Sequence, residues 1–307
     1  MSDSEWLERV AHLNQWKSHG RRAPHKPLLL LYMIGRLQRL GTAGVDFREA
    51  EPELQLLLDE FGPPNKSTPA YPFHHLMSDG LWVVKGPNGE DSPGPQVSLL
   101  RSGYRGELTR DFAQALESRP HLLSDVALSL LNMQFPPTIH EDILQAVGLE
   151  LLSATTLAYE RPDHRPRRRD PTFRERVLTA YEFRCAACGY EGTLGREAIG
   201  VEAAHVRWWA AAGPDDVSNG IALCSIHHKL LDRGAIGITD DLKVAVSQHF
   251  LSNSDAARQL VLALVEQPIA SPQPGHEPPR RSHILWHRDQ VFRAPARMLR
   301  QGDPPNL

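Results

Sequence analysis

The stretch LCSIHHKLLDRG, residues 223–234, concentrates side chains that bind metal ions. They are Cys224, His227, His228 and Asp232. On a helix that starts here, His228 and Asp232 share one face because they lie four positions apart, whereas His227 points elsewhere. The stretch therefore predicts two different sites on one helix.

The first of these sites is a zinc site. Cys185 and Cys188 form a C-x2-C pair upstream, and Cys224 and His227 repeat that spacing with histidine in the last place. Two such pairs supply the four ligands of a closed tetrahedral Zn²⁺ site. The prediction accounts for all three cysteines of the chain.

Length and composition indicate an ordinary globular protein. A chain of 307 residues favours two domains, and a formal charge of −3 means that any affinity for nucleic acid must come from local basic patches. The amino end does not resemble a signal peptide, and the longest aliphatic run, Leu28 to Leu31, is too short to cross a bilayer. We expect a cytoplasmic protein with reduced thiols.

A basic, proline-rich segment divides the chain. Residues 160–171, ERPDHRPRRRDP, contain five arginines and no aliphatic residue, which is typical of an exposed linker. We therefore predict a first domain over 1–159, a linker over 160–171 and a second domain over 172–307. The linker arginines, which could hold DNA loosely or only keep the linker soluble, are Arg161, Arg165, Arg167, Arg168 and Arg169.

The first domain is predicted to be rich in helix, with a small β hairpin. PHKPLLLLYMIGRLQRLG predicts a mostly buried helix that ends at Gly41. LWVVK, residues 81–85, and QVSLL, residues 96–100, predict two strands joined by a long loop. Further helices are expected near 53–61, 107–118, 122–133 and 138–147.

The second domain begins with a short helix near 173–181 and ends with a helix near 254–265 and a tail. SPQPGHEPPRR, residues 271–281, has the composition of a disordered segment. The tail SHILWHRDQVFRAP, residues 282–295, is apolar enough to pack back on a domain. The fold class expected for the whole chain is α+β.

His205 and Asn219 stand in VEAAHVRWW and PDDVSNGIALC, between the two pairs predicted to bind zinc, and His228 in IHHKLLD directly follows the second pair. This series resembles the HNH nuclease motif, which implies a ββα-metal fold over about residues 173–235. The resemblance implies that His205 is the general base, that Asn219 holds the loop or orients His205, and that His228 and Asp232 bind one Mg²⁺ or Mn²⁺ ion. Hydrolysis of a phosphodiester needs such a base and such a cation.

One position departs from the HNH pattern. Many HNH enzymes carry a metal ligand directly before the base, and this sequence has Ala204 there. Glu202 lies on the same face of the strand, but about 6 to 7 Å away. Glu202 is therefore a candidate ligand only if the strand bends or a water bridges the gap.

The first domain resembles the sulfur-binding domain of McrA-like type IV restriction endonucleases, which recognise phosphorothioated DNA. RRAPHKPLLLLY, residues 21–32, YPFHHLMSDGLW, residues 71–82, and FPPTIHEDILQAVGL, residues 135–149, carry the resemblance. Sulfur in place of a nonbridging oxygen is larger and accepts hydrogen bonds weakly, so an apolar wall backed by cations suits it.

The resemblance implies that Tyr71 and Pro72 form the apolar wall, whereas His75 replaces a residue that is usually small. Without the resemblance, this segment could equally be a core turn. Cations that could reach phosphates, or form only a solvated basic face, flank these segments: Arg22, His25, Lys26, Arg101 and Arg105.

The sequence thus predicts an endonuclease that binds phosphorothioated double-stranded DNA and cuts nearby. One site per chain would sever both strands most simply as a homodimer. Two alternatives stay open: an HNH nuclease that reads another mark, such as methylcytosine, and a noncatalytic zinc-containing DNA-binding protein.

Overall fold

The computed structural model describes residues 1–14, 23–64, 67–151 and 170–298. The chain divides into two compact units, Met1–Arg165 and Pro166–Leu307. Most of the predicted linker lies outside the described residues, as does Arg22. None of the helices in the described ranges combines the length and apolar character needed to cross a membrane.

The first unit is built from helices around one long buried helix. Their bounds are α1 Asp3–Ala11, α2 His25–Leu40, α3 Phe47–Phe61, α4 Ala70–His75, α5 Val97–Leu100, α6 Arg110–Ser118, α7 Pro120–Gln134 and α8 His140–Val147. Helix α2 is buried from Lys26 to Leu37 and packs against α3, α4 and α7, which explains its apolar sequence. It ends, as predicted, at Gly41, which takes the left-handed conformation with φ 61°.

A three-stranded antiparallel sheet completes the first unit, where the sequence predicted a hairpin. Its strands are β1 Gly44–Asp46, β2 Trp82–Lys85 and β3 Arg105–Leu108, in the order β1-β3-β2. The predicted strand at QVSLL is wrong, because these residues form the helical turn α5 and satisfy their backbone groups locally. Strand β2 pairs instead with β3. Strand β3 contains Gly106, and a Cβ at this position would lie 2.0 Å from the Trp82 ring.

The second unit contains a ββα arrangement. Its strands are β4 Thr193–Leu194, β5 Glu197–Ala198, β6 Val201–His205, β7 Gly220–Cys224, β8 Ile236–Ile238 and β9 Val244–Val246. Its helices are α9 Pro171–Ala180, α10 Ser225–Asp232, α11 Asp255–Leu260 and α12 Arg281–Gln290. Strands β6 and β7 pair antiparallel, with His205 opposite Gly220, and α10 follows β7 directly.

Residues 271–281 form backbone hydrogen bonds to other parts of the second unit, which corrects the prediction of a disordered segment there. The amide of Gln273 donates to the Ala180 carbonyl, and the amide of Arg280 donates to the Ser218 carbonyl, each at 2.8 Å. Helix α12 then packs against β8, as the apolar tail predicted. The prediction was wrong because it rested on the proline-rich composition alone. The hydrogen bonds that hold this segment are made with residues far away in the sequence.

Candidate metal centre and catalytic cluster

The two pairs that are predicted to bind zinc converge in the second unit. One ligand atom each from Cys185, Cys188, Cys224 and His227 lies within 4.8 Å of all the others. The first pair sits in a tight turn, where the amide of Gly189 donates to the Cys185 carbonyl. The second pair joins the end of β7 to the first turn of α10.

The geometry of this cluster suits zinc. The Sγ atom of Cys185 lies 3.5 Å and that of Cys224 3.0 Å from His227 Nδ1. Ligands of a tetrahedral zinc ion are separated by about 3.6 Å for sulfur and nitrogen. His227 Nε2 donates to the Leu260 carbonyl at 2.7 Å, which leaves the lone pair on Nδ1, inside the cluster. Hydrogen bonds from Cys188 and Cys224 hold the pKa of the Cys185 thiol well below its usual range.

His205 ends β6 with its imidazole held on two sides. Its ring stacks on Phe173 of α9, with centroids 4.0 Å apart and planes 18° apart. Its Nε2 lies 2.7 Å from Asp215 Oδ1, and because a carboxylate can only accept, Nε2 carries the proton. The His205 side chain is 9% exposed, so the ring has little freedom to turn.

Asn219 is fully buried and clamps the loop that follows β6. Its Oδ1 accepts from the Arg207 amide at 2.8 Å. Its Nδ2 donates to the Arg207 carbonyl at 3.0 Å and to the Pro214 carbonyl at 2.9 Å. Gly213 makes room for this clamp, since a Cβ there would lie 1.8 Å from the Arg207 carbonyl oxygen. The side-chain hydrogen bonds of Asn219 that the structure describes therefore go to the loop and not to the His205 ring.

His228 lies between two carboxylates. Its Nε2 is 3.3 Å from Asp232 Oδ2 on the same face of α10, as the spacing predicted. Its Nδ1 donates to Glu202 Oε2 at 2.7 Å, and Ser225 Oγ donates to Glu202 Oε1 at 2.6 Å. Burial lowers the pKa of His228, but the carboxylates of Asp232 and Glu202 outweigh it and raise the pKa to about 9.

The contact between Glu202 and His228 is direct, which the strand geometry alone did not predict. Helix α10 begins immediately after β7, the partner of β6, and its first turn brings His228 over Glu202. Asp215 and Phe173 are the site residues that sequence reasoning missed. The only signal was the paired aspartates, Asp215 and Asp216, shortly before Asn219.

The residues predicted to line the sulfur pocket of the first unit lie on α4. Tyr71 is 54% exposed, and its ring stacks on exposed His75 with centroids 5.8 Å apart. Pro72 is buried, so Tyr71 and His75 form the accessible surface of this cluster. His74 is half-buried and within hydrogen-bond distance of Ser92.

The predicted cations of the first unit differ in their exposure. Lys26 Nζ donates to Asp79 Oδ2 at 2.6 Å, and both side chains are buried, so Lys26 forms an internal ion pair. Its contact with phosphate stays a prediction. Arg101 makes two hydrogen bonds to Glu51, with 55% of its side chain exposed. Arg105 is also about half exposed, at 48%, and His25 is half-buried.

The strands β6 and β7, the helix α10 and the metal-binding cluster define a ββα-metal class of domain. Residues 185–239 match the model of the HNH endonuclease family, and residues 3–152 match the model described as ScoMcrA-like, DNA sulfur-binding domain. The chain therefore combines a region similar to the ScoMcrA-like DNA sulfur-binding domains with a region similar to the HNH endonucleases. No curated protein matches the chain.

Several solved structures are similar to the chain. The sulfur-binding domain of SprMcrA complexed with phosphorothioated DNA is 24% identical, with a TM-score of 0.42, over 48% of this chain and 95% of that one. The corresponding domain of ScoMcrA is 22% identical, with a TM-score of 0.41, over 47% and 95%. The type IV phosphorothioation-dependent restriction endonuclease ScoMcrA is 22% identical, with a TM-score of 0.43, over 54% of this chain and 32% of that one.

Proposed function

We propose that this protein is a modification-dependent restriction endonuclease that binds phosphorothioated double-stranded DNA and hydrolyses phosphodiester bonds nearby. The observation that carries the proposal is the pairing, in one chain, of the two matched domain families. The held imidazole of His205 and the cluster of His228 with Asp232 support the catalytic half.

The first unit would read the mark through an apolar surface. The exposed ring of Tyr71, stacked on His75, offers a face that suits polarizable sulfur better than a hydrated oxygen. Arg101 and Arg105, each about half exposed, are candidates for the phosphate contacts that supply affinity without reading sequence.

The second unit would cut by general base catalysis. His205 takes a proton from a water molecule as the water oxygen bonds to phosphorus. One bond between phosphorus and a sugar oxygen breaks, and the departing oxygen takes a proton from solvent. Asn219 keeps the loop beside His205 in place through its three side-chain bonds.

His228 Nε2 and Asp232 Oδ2 fit one Mg²⁺ or Mn²⁺ ion. Their separation of 3.3 Å is close to the roughly 3.0 Å between neighbouring ligands of such an ion. The ion would supply positive charge against the charge that develops at phosphorus. Glu202, on the opposite nitrogen, orients His228, and the Cys3His cluster would hold a structural zinc that joins β7 and α10 to the turn at Cys185.

The test compares two duplexes that differ only in one sulfur atom, each incubated with the protein and Mg²⁺ or Mn²⁺. We expect tighter binding and cutting of the sulfur-containing duplex, and no cutting by His205→Ala at unchanged affinity. Equal binding of both duplexes would favour a reader of another mark, such as methylcytosine. Binding without cutting under either ion would favour a noncatalytic DNA-binding protein.

Two further parts of the proposal concern how the enzyme works in the cell. Because one chain carries one HNH site, a homodimer would cut both strands most simply, and sedimentation on a marked duplex tests this. We propose that the protein acts on DNA in the cytoplasm.

A further inference from the structure

We propose that Asp215 is the positioning residue of the general base, an inference that rests on the proposed function. Its carboxylate holds the proton of His205 on Nε2, so that Nδ1 is the atom that accepts the proton of the attacking water. Asp215 lies outside the HNH series itself, in the loop between His205 and Asn219.

The contact between Asp215 and His205 is short and directed. Asp215 Oδ1 lies 2.7 Å from His205 Nε2. The other carboxylate oxygen, Oδ2, accepts from the Asp170 amide at 3.4 Å, a weaker contact. The strongest hydrogen bond of this carboxylate among those described therefore goes to the imidazole and not to the start of α9.

Separate contacts fix the backbone around Asp215. Arg176 donates to the Asp215 carbonyl at 2.7 Å, and Asn219 donates to the neighbouring Pro214 carbonyl at 2.9 Å. The loop is thus anchored by its main chain from both sides. The Asp215 side chain, 21% exposed, is not needed for that anchoring and is available to orient His205.

The tautomer of His205 decides whether it can act as a base. A neutral imidazole carries one proton, and the nitrogen without it accepts the next one. A carboxylate on Nε2 stabilises the Nε2–H form, and Phe173 stacked on the ring opposes a ring flip that would carry Nε2 away from that carboxylate. In the serine proteases, replacing the aspartate that orients the catalytic histidine by asparagine lowers kcat by about 10⁴-fold.

The experiment separates the charge of Asp215 from its shape. Asp215→Asn keeps the shape, but its NH2 group can donate to Nε2 and favour the wrong tautomer. Asp215→Glu keeps the charge and disturbs the packing more. We expect Asp215→Asn to lower the single-turnover cutting rate of the phosphorothioated duplex about 100-fold or more, with its affinity unchanged within about twofold, and Asp215→Glu to cut faster than Asp215→Asn. Asp216→Asn, which removes the same charge from the exposed neighbour, is the matched control and should cut at nearly the wild-type rate.

A second measurement does not depend on cutting. In ¹⁵N-histidine-labelled protein, the His205 signals, identified by their loss in His205→Ala, should show the Nε2–H pattern in the wild type and shift towards Nδ1–H in Asp215→Asn. A role limited to loop packing would make Asp215→Glu the more damaged variant, and that order of rates would overturn the proposal. An Nδ1–H wild type, or equal rates for Asp215→Asn and wild type where His205→Ala is inactive, would also overturn it. Failure of the proposed function looks different, because wild-type protein would then cut neither duplex with either ion.

Discussion

Replacing Asn219 by alanine tests the clamp on the loop after β6. The variant removes three side-chain hydrogen bonds, two with Arg207 and one with Pro214, from a side chain with no exposed surface. Each such bond contributes about 1 kcal/mol net, so the loss is about 3 kcal/mol. For a unit of roughly 140 residues, at about 3 to 4 °C per kcal/mol, the unfolding midpoint of the second unit should fall by about 10 °C.

Two quantities are measured. Calorimetry gives the thermal unfolding midpoint of the full chain, and a cleavage assay gives the cutting rate of the phosphorothioated duplex. Asn253→Ala is the matched control, because Asn253 is exposed in the same unit. Asn219→Asp keeps an acceptor for the Arg207 amide but cannot donate to the two carbonyl groups, so it should recover little stability. A midpoint within about 1 °C of wild type for Asn219→Ala, with wild-type cutting, would refute the clamp.

Further predictions concern the metal, the reader and the linker. Elemental analysis should find one zinc per chain, and Cys188→Ser should lower both the zinc content and the unfolding temperature of the second unit, since structural zinc contributes folding free energy. Lys26→Ala should destabilise the first unit by about 3 kcal/mol in denaturant titrations, because it leaves the Asp79 carboxylate buried without its cation; a change below about 1 kcal/mol would contradict this. Replacing Arg167, Arg168 and Arg169 by serine should weaken binding to marked and plain duplexes by similar factors and flatten the salt dependence. Unchanged affinity and slope would leave the linker as a passive spacer.

The metal-binding cluster could be predicted from the sequence because its ligands come in pairs three positions apart. A turn or the start of a helix brings each pair together locally, and the two pairs then need to meet only once in the fold. The helix spacing of His228 and Asp232 is local in the same sense. Their catalytic roles stay predictions.

The contacts of two other carboxylates, Asp215 and Glu202, could not be predicted in the same way. The contact of Asp215 with His205 depends on the path of the loop that Asn219 clamps, and the contact of Glu202 with His228 depends on how α10 leaves β7. Neither path leaves a periodic pattern in the sequence. The strand predicted at QVSLL was wrong for a related reason. The composition of this segment suits a strand, but its backbone forms a helical turn.

The segment that packs on the second unit after residue 239 sets the smallest piece of this unit that can be moved to another protein. The HNH match ends at residue 239. Later residues nevertheless bond to the matched region: the backbone amide of Ala270 donates to the Ala186 carbonyl, and the backbone amide of Arg293 donates to the Gly234 carbonyl. Ile269 and Ile284 are buried in the same core as Cys185. A fusion of this HNH-like domain to another protein would therefore have to include the chain from α9 to about residue 297, because truncation at residue 239 would remove part of the core that supports the motif.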